Sequence, residues 1–176
     1  MAHDLPSPQG RELIAELEVA KASFHSVVDH LPDSSWIKTS ANPPWTNGQV
    51  LFHITLAFIL LPFLLPLARV FGRLPPVLSK LFAGLLDLGT ALFNWANGLG
   101  PRAGGLVFTR RRLLKKYDSL NLYAVNSLYR LAPSELQRGM FYPRKWDPMF
   151  RDFMTLADLF RYPAMHMEHH LQHIVA

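Results

Sequence analysis

The chain has 176 residues, of which 49% are hydrophobic and 18% charged, and its 18 basic and 13 acidic side chains give a formal charge of +5. This length is typical of one domain, and this share of apolar residues excludes a chain that is disordered throughout. The sequence contains no cysteine, which excludes disulfides, thiolate metal sites and a cysteine nucleophile. If the protein uses thiol chemistry, the thiol must come from another molecule.

The first residues do not resemble a secretory signal. Asp4, Pro6 and Pro8 occupy positions where such a signal has a basic segment followed by an apolar run. We therefore expect a cytoplasmic protein in which residues 1–9 form a flexible tail and residues 10–176 form a single domain.

Four stretches of the sequence are predicted to form the main helices. Residues 11–31 have apolar side chains every three or four positions, with glutamates between them. The second helix covers residues 49–68, the third begins near Phe108 and ends before Pro133, and the last begins around Thr155. No stretch alternates as a β-strand does, so the predicted fold class is all-α.

An apolar excursion, residues 69–105, separates the second and third of these helices. It favours a further helix from Pro76 or Val77 to about Asn97, broken at Gly84 and Gly89. The sequence from Asn97 to Pro101, which contains two glycines and a proline, is expected to end that helix.

The second helix is apolar enough to raise the question of a membrane span. No charged residue occurs between Lys38 and Arg69, and about twenty apolar residues can cross a bilayer. However, Pro62 and Pro66 interrupt the run, and His53 lies near its start. The pattern therefore favours a buried helix, and whether residues 50–68 touch a membrane stays open.

Four of the eight histidines, His166, His169, His170 and His173, lie on the last predicted helix. At 100° per residue they form one stripe beside an apolar stripe, with His166 and His170 nearest the apolar side and the other two turned toward solvent. Two imidazoles one turn apart can share a metal ion. Position 167 is Met where a zinc protease has its catalytic Glu, so a metalloprotease is disfavoured.

A catalytic zinc site usually has three protein ligands, and His53 is the candidate for the third. It is the only ionisable residue in the apolar second helix, so it needs a partner there. Two simpler interpretations remain open: His53 is a hydrogen-bonded core residue, or the histidines of the last helix form a solvated face.

Three segments of the sequence form a recognisable pattern. In chain order they are Leu31-Pro32-Asp33-Ser34-Ser35-Trp36, Trp45-Thr46-Asn47-Gly48-Gln49-Val50-Leu51-Phe52-His53 and His166-Met167-Glu168-His169-His170-Leu171-Gln172-His173-Ile174. Together they resemble the DinB-like family, also called DinB/YfiT-like metalloenzymes. The resemblance covers the whole chain. It implies a four-helix bundle in which His53, His166 and His170 bind a divalent metal ion. The apolar excursion between the second and third bundle helices departs from the family pattern, and His169 with His173 is an alternative ligand pair.

Characterised relatives of this kind resemble thiol-dependent transferases or isomerases that use bacillithiol, mycothiol or glutathione, and others resemble hydrolases. The resemblance thus implies a metal-dependent S-transferase or hydrolase acting on a small apolar substrate, with a low-molecular-weight thiol as a candidate cosubstrate. Imidazole ligands suit zinc, nickel, iron or copper, so the three histidines do not decide among them. Zinc is the expected ion, with nickel or iron as alternatives. No carboxylate can be placed beside the histidines from the sequence, so the catalytic residues stay unassigned.

A second hypothesis makes the protein a non-enzymatic bundle that binds lipid or docks on a membrane through the apolar excursion. The basic run from Arg110 to Lys116 would then attract anionic headgroups, although a solvated helix face is the simpler interpretation of that run. The run lacks interleaved aromatic residues and a recognised nucleic-acid motif, so nucleic acid is not an expected partner. A homodimer formed through the excursion is a further expectation.

Overall fold

The computed structural model describes residues 6–175, and over that range it contains eight helices and two short strands. In chain order these are α1 (Pro8–His30), α2 (Asp33–Trp36), α3 (Asn47–Phe71), α4 (Pro76–Leu88), α5 (Thr90–Val107), α6 (Arg110–Leu128), α7 (Pro133–Leu136), β1 (Gly139–Phe141), β2 (Phe153–Thr155) and α8 (Leu156–Leu171). The helices α1, α3, α6 and α8 form a four-helix bundle, which confirms the predicted fold class.

The four bundle helices surround one apolar core. Both α1 and α3 pack against α6 and α8, so α1 and α3 occupy opposite corners of the bundle. At the centre the Phe24 ring stacks on the Tyr117 ring at 4.0 Å between centroids, and Phe58 meets the same ring edge-on at 4.9 Å. All three side chains are fully buried, as expected for the apolar stripes of amphipathic helices.

The first helix begins earlier than the sequence suggested. Pro8 occupies its first turn, where a missing N–H costs nothing, and the Ser7 hydroxyl accepts a hydrogen bond from the Gly10 amide at 3.0 Å. The predicted tail, residues 1–9, is therefore too long at this end. Residues 1–5 lie outside the described part of the chain.

The second bundle helix, α3, is continuous through both of its prolines, as the predicted helix over residues 49–68 required. Each proline removes one backbone hydrogen bond, but the residues directly before them, Leu61 and Leu65, are buried in the core and hold the helix in place. The helix is long and apolar enough to cross a membrane, yet 56% of its most apolar window is buried inside the protein. In this fold α3 is the core helix of the bundle.

The apolar excursion folds as two helices, α4 and α5, which meet at Gly89 with a bend of 68°. The predicted break at Gly84 does not occur, and α5 continues past Asn97 to Val107 instead of ending there. The reason is tertiary packing, which overrides local propensity. Gly104 lies against the Phe52 ring of α3 so closely that a β-carbon would overlap the ring.

A two-stranded antiparallel hairpin follows α7, so the expectation that the chain contains no strand is wrong. Gly139 pairs with Thr155 and Phe141 with Phe153. Strands of three residues are too short to show a period of two in the sequence. The hairpin packs against α4 and brings its connecting segment, residues 142–152, to one end of the bundle.

One buried amide joins the start of α3 to the segment after α8. The Asn47 side chain donates to the carbonyl oxygens of Ser35 at 2.8 Å and Val175 at 2.6 Å, and its Oδ1 accepts from the Val175 amide at 3.1 Å. Nearby, the Ala41 amide donates to the His173 carbonyl at 2.9 Å. These bonds fix the position of α8 relative to the first turns of α3.

We expect Asn47→Ala to lower the free energy of unfolding by about 2–4 kcal/mol, because it removes three hydrogen bonds and leaves two carbonyl oxygens without this donor. Urea denaturation followed by circular dichroism measures the change. Asn126→Ala, at an exposed asparagine of α6, is the control and should cost less than about 0.5 kcal/mol. Equal losses in the two variants would contradict a special role for Asn47.

Candidate metal centre

The structure brings together the three histidines chosen from the sequence. His53 on α3 and His166 and His170 on α8 each offer one ring nitrogen within 4.8 Å of the other two. The ring centroids form a nearly equilateral triangle with sides of 4.8, 4.6 and 4.5 Å. This cluster has the size expected of side chains that can surround a single cation.

Two well-capped helices position these side chains. The Thr46 hydroxyl accepts from the Gln49 amide, and the Gln49 side chain accepts from the Thr46 amide at 3.0 Å, which fixes the start of α3 before His53. Thr155 and Asp158 form the same reciprocal pair at the start of α8. The cluster therefore rests on rigid helices and not on loops.

Burial keeps all three rings neutral at physiological pH. Desolvation, with the nearby His166 as a smaller cause, lowers the pKa of His53 from 6.5 to about 3. Burial likewise lowers the pKa values of His166 and His170 to about 3, and neighbouring histidines add to both shifts. A neutral imidazole has a lone pair free on one nitrogen, which is the form that binds a metal.

The rings also lack hydrogen-bond partners. The Nδ1 atoms of His53, His166 and His170 are buried, and within the described range no protein group bonds to them. Most buried polar atoms do have a partner, and the Nδ1 of the neighbouring His173 lacks one as well, so this group of imidazoles is exceptional. A divalent cation fits this donor set, because imidazole nitrogens are good ligands for zinc and similar ions.

Of the alternative pair, His169 lies near the end of α8, and His173 lies in the turn that follows it. His169 is exposed and His173 half-buried, and neither belongs to the three-histidine group. The ring of His169 stands 5.6 Å from that of His173. The pair that the helical wheel placed nearest the apolar side, His166 and His170, is the one that lies with His53 in the structure.

An apolar cavity of about 350 Å³ opens beside His53 and His166. Its walls come from α3, α4, α5, α8 and the segment between the two strands. The lining residues are mostly apolar and include Leu56, Leu60, Leu64, Phe82, Leu86, Phe93, Ala96, Trp146 and Phe150. The apolar excursion, whose role the sequence left open, therefore builds one wall of this cavity.

The same cavity contains polar groups that the sequence did not identify. Asp147 lines it, accepting from the Tyr162 hydroxyl at 2.8 Å and from the Met149 amide at 2.7 Å. Burial, together with Asp147, raises the pKa of Tyr162, so its hydroxyl keeps its proton. Tyr142 also lines the cavity, and its buried hydroxyl has no hydrogen-bond partner within residues 6–175. No sequence signal links Asp147 to the histidines, since it lies in an irregular segment before β2.

Comparisons with known proteins agree with this arrangement. The sequence model of the DinB superfamily matches residues 16–174. The structure is similar to that of YfiT from Bacillus subtilis, with a TM-score of 0.62, 16% sequence identity, and coverage of 97% of this chain and 87% of that one. That protein is described as "a probable metal-dependent hydrolase with an unusual four-helix bundle topology". A search of curated proteins finds no significant match.

The lowered pKa values predict that acid destabilises the metal-free protein. Between pH 6.5 and about 3 the unfolded chain takes up protons on these three rings and the folded chain does not. The free energy of unfolding therefore falls as the pH decreases through this window. Urea denaturation with a chelator present, at about pH 7 and about pH 5, measures the slope.

Two variants test the assignment of that slope. His170→Leu should flatten it, because one of the three rings is gone, whereas His30→Gln, at an exposed histidine of α1, should leave it as in the wild type. A wild-type stability that does not change between the two pH values would show that the rings are not kept neutral by the fold.

Proposed function

Because this chain belongs to the DinB superfamily, we propose that it is a metal-dependent enzyme in which His53, His166 and His170 hold a divalent cation. The observation that carries this proposal is the meeting of three neutral imidazoles with unpartnered Nδ1 atoms, two of them buried and one half-buried, at the edge of an apolar cavity. Zinc is the favoured ion for an all-imidazole site, with nickel and iron as alternatives.

The ion, when bound with an open coordination position, supplies Lewis acidity that makes a thiol or a water molecule nucleophilic at neutral pH. The chain supplies no thiol of its own, since it lacks cysteine. The proposed reaction is therefore either transfer to a low-molecular-weight thiol or hydrolysis.

The cavity supports a proposal for the substrate class. Its volume is at the lower end of the range for small-molecule sites, and its apolar lining favours a compact aliphatic or aromatic body. Since His53 and His166 line one side, the reacting group of the substrate is expected at that side. The apolar walls of the cavity exclude water from the remaining, apolar part of the substrate.

Asp147, Tyr162 and Tyr142 are the polar groups available to orient that reacting group. The Tyr162 hydroxyl holds its proton toward Asp147 Oδ2, which keeps the carboxylate in a fixed orientation at the cavity wall. The Tyr142 hydroxyl can donate a hydrogen bond to an oxygen of the substrate. We propose these residues as the polar contacts of the substrate.

We expect purified, untagged wild-type protein to contain close to one equivalent of divalent metal, and the double variant His166→Ala, His170→Ala to contain almost none. The matched control is His169→Ala, His173→Ala, which removes the two remaining C-terminal histidines at the same spacing and should keep its metal. Elemental analysis after dialysis measures the content. Metal lost from the control and kept in the inner double variant would reverse the ligand assignment.

The cavity predicts a substrate-length effect. Ala96→Phe places a ring in the cavity wall and should raise KM for aryl esters with longer acyl chains by about tenfold or more, with a smaller effect on acetate esters. Ala103→Phe, at an exposed position of the same helix outside the cavity lining, should have no effect. Steady-state kinetics on an ester series measures both.

The same assay separates the two reaction types. Ester cleavage by metal-loaded protein that needs no thiol supports hydrolysis, whereas cleavage that requires glutathione and consumes it supports transfer. If metal-loaded protein cleaves no ester of the series with or without thiol, the proposed substrate class is wrong.

A further inference from the structure

The helices α4 and α5 are apolar on two sides. Phe82 and Leu86 of α4 and Phe93 of α5 face the cavity. Elsewhere on their surfaces both helices also expose large apolar side chains, among them Leu88 at 83% and Leu106 at 89% of full exposure. A helix that is apolar all round is normally buried in protein or in lipid, so these exposed faces need an explanation.

The exposed apolar side chains form ordered stripes. Those of α4 lie within an arc of about 100° of the helical wheel, and those of α5 within about 120°. They are Val77, Leu78, Leu81, Leu85 and Leu88 on α4, and Leu92, Trp95, Leu99, Leu106 and Val107 on α5. Contiguous exposed stripes of this kind mark an interaction surface rather than scattered exposed residues.

The positive charge of the protein lies in the same part of the chain. Residues 72–117 contain eight basic side chains and a single acidic one, Asp87, whereas the rest of the chain has ten basic and twelve acidic ones. Within residues 6–175, Arg102, Arg111, Lys115 and Lys116 form no ion pair, and all four are exposed. This charge is available to a partner.

The apolar and basic surfaces meet where α5 ends and α6 begins. Val107 and Phe108 line one shallow cleft of about 330 Å³ together with Arg112, Lys115 and Lys116. On the wheel of α6, Arg111 and Lys115 lie on the side opposite the buried Leu113 and Leu120, and Arg112 and Lys116 lie on the flank between. The apolar stripe of α5 therefore ends beside a row of exposed cations.

We propose that the outer faces of α4 and α5 and the basic face of α6 dock the protein on an anionic lipid bilayer. An apolar stripe bordered by lysines and arginines is the pattern that binds such membranes, with the apolar side chains in the headgroup boundary and the cations on the phosphates. A second copy of the chain is disfavoured as the occupant, because a two-fold contact through this face would bring two basic clusters together. The docking does not depend on the metal site.

Flotation of the full-length protein with lipid vesicles tests the proposal. We expect binding to vesicles in which about a third of the lipid is phosphatidylserine, release by added salt, and little binding to pure phosphatidylcholine. Arg111→Gln with Lys115→Gln should weaken binding roughly thirtyfold, since each cation near the surface contributes about one kcal/mol. Leu85→Gln with Trp95→Gln should weaken it by about tenfold or more.

Matched controls come from surfaces outside this face. Val19→Gln, at an exposed apolar residue of α1, and Arg130→Gln, at an exposed cation just after α6, should bind as the wild type does. All substituted side chains are exposed, and circular dichroism checks that each variant keeps its helical content. A fluorescence blue shift on vesicle binding that disappears in Trp95→Phe would support contact at this stripe.

Two results would overturn the proposal. One is a wild-type protein that stays free of anionic vesicles at low salt. The other is a stable dimer in light scattering that dissociates in the Leu85→Gln, Trp95→Gln variant, because a second copy would then cover this face.

Discussion

The packing of α8 along α3 is the contact on which the site and the cavity depend. It places two histidines of one helix opposite a single histidine of the other, in surroundings apolar enough to keep all three rings neutral. Isolated neutral imidazoles in a core would be left without partners, which is unfavourable unless something else binds them. The buried Asn47 amide holds the two helices in register at the end nearest the cluster. The same helix pair, α3 and α8, therefore contributes to the stability of the bundle and forms the candidate metal centre.

Much of the bundle and of the histidine cluster could be predicted from the sequence, since both follow from helical periodicity. The positions of Leu13, Leu17 and Phe24 define the inner face of α1, and the same wheel separates His166 and His170 from the outer pair. His53 could be singled out because an ionisable residue in an apolar helix needs a partner.

The parts that the sequence did not predict are those that depend on contacts distant along the chain. The three-residue strands carry too little pattern, and α5 passes through Gly98, Gly100 and Pro101 because it packs on α3 at Gly104. The carboxylate of Asp147 reaches the cavity only through the hairpin. Such placements come from tertiary structure, which a local sequence window does not contain.

The histidines of the cluster come from opposite thirds of the chain, which has a consequence for how the protein matures. During vectorial synthesis α3, with its long apolar surface, leaves the ribosome well before α8 exists to cover it. Until then that surface is exposed to chaperones, to other chains and to lipid. The proposed metal ion can bind only after α8 is complete, so its binding would report that the bundle has closed.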